Sequence, residues 1–98
     1  MLFDVHLYSG TVLISEKSNT KYQIGDKHAF LLYVRADLNA EYNQGNAEEI
    51  IFDLGFEEIE FSRAGKVSPE KAAVSHNKIY YDNAVKSGAS FVLYSDPI

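Results

Sequence analysis

Ninety-eight residues, 46% hydrophobic and 23% charged, suffice for one globular domain with a modest core. With no cysteine, disulfides, thiolate metal sites and cysteine nucleophiles are excluded, and no apolar run approaches the ~20 residues of a membrane-spanning helix. A net charge of −5 argues against a nucleic-acid partner, which calls for a basic face.

Residues 2–14 predict a β-hairpin. Phe3, Val5 and Leu7 alternate with Asp4, His6 and Tyr8, and Ser9-Gly10 is a plausible two-residue turn. That turn would pair Leu7 with Val12 and Val5 with Ile14. Residues 15–27 are polar and read as a loop, with an extended piece at Tyr22–Ile24. His28–Ala36 is a nearly continuous apolar run and predicts a central strand covered on both faces. Residues 37–45 read as a polar loop, with an early helix start at Leu38–Tyr42 as the alternative.

Residues 46–61 carry the clearest local signal. Asn46 is the expected helix cap, with Glu49 at the position that reaches back and Glu48 and Glu49 in the first turn. Ala47, Ile50, Ile51 and Leu54 share one helical face. Gly55 supplies the left-handed stop, and Phe56 can fold back onto the last turn. Ile59 and Phe61 then alternate with Glu58 and Glu60, the period of a half-buried strand. Ala64-Gly65 is a candidate tip for a short returning strand at Lys66-Val67.

Ser68-Pro69-Glu70 is a helix start. The second helix is expected to run to Ser87 and stop at Gly88, with Ala73, His76, Tyr80 and Ala84 on one face. Ser90–Tyr94 predicts a second apolar strand, ended by Asp96-Pro97.

The order from His28 onward resembles a ferredoxin-like βαββαβ sandwich, two helices on one face of an antiparallel sheet. The expected fold is therefore α+β, one domain over residues 1–98, with 2–14 as a hairpin extension and 28–94 as the α/β core. A parallel βαβαβ sheet is the competing topology. The superfold hosts many functions and implies none.

Charge is concentrated in the middle of the chain. Residues 1–36 and 66–98 each carry +1, whereas residues 37–65 carry −7. There Arg63 alone opposes Asp37, Glu41, Glu48, Glu49, Asp53, Glu57, Glu58 and Glu60. Such a segment suits a module that covers a basic surface on a partner protein, as small acidic inhibitors and immunity-type proteins do, because complementary charge steers encounter and orientation.

Arg63, Lys66 and Ser68 surround a glycine just before a helix start and form a candidate anion site, without a nucleotide-binding fingerprint. The alternative reading is a small-ligand or regulatory domain that adds Asn39, Tyr42, Asn43 and Gln44 to those three residues. Val74, Tyr81 and Val85 lie about 100° round the second helix from its main stripe. They need a second neighbour, either the N-terminal hairpin or a partner subunit in a homodimer.

His6, His28 and His76 have no metal-ligand spacing, and no nucleophile elbow is present. The sequence therefore predicts no catalytic residue, no metal and no cofactor. It predicts a cytoplasmic protein, because the N-terminus lacks the basic region of a signal peptide.

Overall fold

β1 (Phe3–Leu13) passes straight through Ser9-Gly10 and never turns. The computed structural model describes Phe3 to Ile98. Along the chain follow β2 (Lys27–Asp37), α1 (Gln44–Asp53), β3 (Glu57–Lys66), α2 (Pro69–Ala73), α3 (Lys78–Ser87) and β4 (Ala89–Pro97). The strands form one sheet in the order β3-β1-β2-β4, with every pair antiparallel. The N-terminal segment is thus a central strand and not a hairpin. Leu7 pairs with Tyr33 and Gly65, and Val12 pairs with His28. Residue 2 of the expected hairpin lies outside the described residues.

Gly10 has a different job from turning the chain. A Cβ there would sit 1.8 Å from the Glu60 carbonyl oxygen, so the glycine lets β3 approach β1 at a register shift between Ser9 and Gly10. β3 is likewise one strand through Ala64-Gly65, so the expected returning strand does not exist.

The fold is α+β, but it is not the ferredoxin-like arrangement. Two strands precede the first helix, and the helices cover opposite faces. Alternation along the central strands explains this. Tyr8, Val12, Phe30 and Leu32 point to one face, where Ala47 and Ile51 of α1 and Phe56 complete a buried cluster. Val5 and Tyr33 point to the other, where Ala72 of α2 and Tyr81 and Ala84 of α3 pack. A central sheet buried on both faces needs two apolar sets per strand, and the β2 run supplies them.

The helix ends also differ from expectation. Asn43, not Asn46, caps α1, and its side chain accepts from the Asn46 backbone N–H at 3.0 Å. The helix therefore starts three positions early, and Glu48 and Glu49 fall beyond its first turn. Gly55 does take the left-handed conformation, at φ +97°. The 14–26 connection docks there: Ser15 Oγ and Ser18 Oγ both donate to the Gly55 carbonyl.

The expected single second helix is two. Ser68 Oγ caps α2, accepting from the Lys71 N–H at 3.2 Å, and Val74–Asn77 leaves the helical path before α3. The break resets the buried phase, so Ala72, Tyr81 and Ala84 are buried while Ala73 and His76 are exposed. Among the described residues no helix is long and apolar enough to cross a membrane.

Candidate functional site

The outer side of α1 combines charge with an exposed aromatic. Ala47 and Ile51 are fully buried, which turns Glu48, Glu49 and Phe52 outward. Those three side chains and Gly45 line a shallow hollow of about 230 Å³. Phe52 is 63% exposed, although water is a poor environment for its ring. Leu54, expected in the core, is 45% exposed beside it in sequence at the helix end. Phe52 is not among the sequence-based candidates, although its position off the Ala47–Ile51 stripe, on an otherwise polar face, is the signal that could have found it.

All eight middle-segment carboxylates are exposed. Glu57, Glu58 and Glu60 lie on β3, an edge strand, and Asp53 sits where α1 leads into it. Asp37 and Glu41 are at the other end of the sheet: Asp37 pairs with Phe3, whereas Glu57 pairs with Leu13. The structure thus groups Glu48 with Glu49 around Phe52, aligns Glu57, Glu58 and Glu60 along one edge, and leaves Asp37 and Glu41 apart. Among the described residues none of the eight enters an ion pair, since the only pairs are Lys66–Asp4 and Lys78–Asp82. Starting α1 at Gln44 also removes the helix-dipole stabilisation that a first-turn position would give Glu48 and Glu49.

The anion candidates are partly engaged. Lys66 Nζ lies 3.3 Å from Asp4 Oδ2. Lys66 and Ser68 line a cavity of about 370 Å³ together with Asp4, Glu70, Lys71 and Tyr81. Its two lysines face two carboxylates, so it has no net charge to select an anion. Arg63 and Lys66 together line a neighbouring hollow of about 230 Å³, with Leu7, Leu31 and Val67 and no carboxylate.

The polar loop after β2 serves the fold. The Asn39 N–H donates to Asp4 Oδ2 at 2.8 Å, and that bond, with Lys66, holds the Asp4 carboxyl below its usual range. The Asn43 N–H donates to the Tyr8 hydroxyl at 2.8 Å. Tyr42 lies edge-on to His6, with ring centroids 4.7 Å apart. Gln44 is exposed at the start of α1.

His6 is 2% exposed, its Nε2 has no hydrogen-bond partner, and burial pushes its pKa down. His28 is buried as well, with Nδ1 2.8 Å from the Tyr94 carbonyl oxygen. Of the self-association candidates, Tyr81 and Val85 pack under α3 against the sheet, while Val74 is 89% exposed at the helix break. No group of three His, Asp or Glu side chains is placed to hold a metal among the described residues. Comparison with protein-family models, curated proteins and solved structures finds no match to the chain.

Proposed function

We propose that this protein is a binding module that docks the outer side of α1, with the adjoining β3 edge, onto a basic surface of a partner protein. The observation that carries the reading is Phe52, 63% exposed and flanked by Glu48 and Glu49. An exposed aromatic supplies the desolvated anchor that interfaces concentrate on, and surrounding carboxylates supply orientation and encounter rate. The partner it fits presents an apolar pocket rimmed by lysine or arginine. Ion pairing and the helix dipole do not account for Glu48 and Glu49, which make no ion pair among the described residues and lie beyond the first turn of α1.

The test uses the intact chain as bait in native lysate, with elution by rising salt. A basic partner should elute at moderate ionic strength, because exposed charge pairs are screened. It should be lost from the Glu48→Lys/Glu49→Lys bait, and its affinity for the Phe52→Ala bait should fall by about 2 kcal/mol, as for an interface anchor. Retention of the same proteins by all three baits at the same salt concentration defeats the reading.

A further inference from the structure

The two edges of the sheet are built differently. β3 presents Glu57, Glu58 and Glu60, pairs with β1 through two register shifts, and holds Glu58 at φ +44°. Charge and irregularity of this kind discourage a further strand. β4 has neither from Ala89 to Leu93, and its register against β2 shifts only beyond Leu93. From Ala89 to Ser95 it carries no charged side chain, and its pairing with β2 is regular from Phe30 to Val34. Asp96 and Pro97 close its far end.

The hydrogen-bonding direction along β4 follows from one contact. The Arg35 N–H donates to the Gly88 carbonyl, so Gly88, Ser90 and Val92 direct their backbone groups at β2. The N–H and C=O groups of Ala89, Phe91 and Leu93 therefore point outward, because direction alternates along an antiparallel strand.

We infer that β4 is a homodimer interface, in which a second copy of this chain adds its own β4 antiparallel about a two-fold axis through Val92. The occupant is a second copy because the strand complements itself. About that axis Phe91 faces the partner's Leu93 on the α1 side of the sheet, Val92 faces its own copy, and no charge meets a like charge. The same pairing at β3 would set glutamate against glutamate.

The helices fit this geometry. α3 lies over the β2–β4 pair. With strands about 4.8 Å apart, two-fold pairing brings the two α3 axes to about 10 Å, an ordinary helix-packing distance. The result is one continuous eight-stranded sheet with both acidic β3 edges outermost, so this interface and the proposed α1 docking surface are separate.

The chain has no cysteine, so single cysteines report the geometry. Val92→Cys places two thiols on a non-hydrogen-bonded pair with Cα atoms about 4.5 Å apart, within disulfide reach. It should form a covalent dimer under mild oxidation, whereas Ser62→Cys on the β3 edge should not. Sedimentation equilibrium of the unmodified chain should give twice 11.0 kDa at high concentration. Leu93→Pro removes an outward N–H that the monomer does not use, and should weaken dimerisation about tenfold or more while leaving the circular dichroism native. If that variant does not fold, cross-linking at position 92 decides. A chain that stays at 11.0 kDa throughout overturns the inference. A dimer that neither cross-links at 92 nor responds to a folded Leu93→Pro also overturns it, and places association elsewhere.

Discussion

His6 is a buried imidazole with an unsatisfied nitrogen. Its place follows from strand alternation: Asp4 and His6 share the α1 side of β1, and the loop carrying Tyr42 closes over them. The groups that face it are Asp4, Lys66, Tyr8 and Tyr42. Burial disfavours the imidazolium, the Lys66 charge acts in the same direction, and Asp4 opposes both, leaving the pKa below its ordinary 6.5. A depressed histidine pKa means the unfolded chain takes the proton first. The stability this gives is present above pH 6.5 and is lost as pH falls from there through the folded-state value. Asp4, also depressed, contributes the same sign, but only below its ordinary 3.8. The urea midpoint of the wild type should therefore drop between pH 7 and 5, and His6→Phe should flatten that slope and be the more stable chain at the acid end. Parallel pH profiles for the two would show that His6 is not the buried proton acceptor. Sequence placed His6 on the correct face of its strand. Its burial depended on a loop 36 residues away, which alternation cannot reveal.

At the scale of elements, close strand approach decides what a glycine means. Ser9-Gly10 and Ala64-Gly65 both have turn composition, and both lie inside strands. Gly10→Ala would drive a methyl into the Glu60 backbone, whereas a methyl at Gly65 meets nothing within 4 Å. The first should cost about 1–3 kcal/mol through overpacking. The second should be neutral or slightly stabilising, by up to about 1 kcal/mol, because alanine narrows the unfolded ensemble. Urea titration of the two variants checks this, and equal losses would mean that β1 and β3 are not so closely apposed. The existence of β2 and β4 was legible from their dense apolar and aromatic runs, but the expected Ser90–Tyr94 falls short of β4, which continues through Asp96 to Pro97. The helix pair was not legible. Val74-Ser75-His76-Asn77 contains neither proline nor glycine to announce the break that turns Tyr81 inward and leaves Ala73 and His76 exposed, although Ala84 is buried as expected. Which sheet face each helix covers is a property of the crossovers, and short-range pattern is blind to it.

For the molecule as a whole, the charge layout works against folding. Residues 37–60 hold eight carboxylates and no basic residue. None of these carboxylates forms an ion pair among the described residues. Exposed like charges this dense repel one another, and the repulsion is greatest when salt is scarce, since the screening length shrinks to about 10 Å only near 0.1 M. The folded chain should therefore gain stability as sodium chloride rises from a few millimolar to that range. Replacing Glu48, Glu49 and Glu60 by glutamine should raise the low-salt unfolding free energy from urea titration by about 0.2–0.5 kcal/mol per site and flatten the salt dependence. Stability alone would favour those substitutions, which fits acids that serve contact and not the fold. The opposite result is equally readable. If the glutamine variants are less stable at low salt, the carboxylates have favourable partners within the fold, and the acidic side of α1 loses its standing as a docking surface.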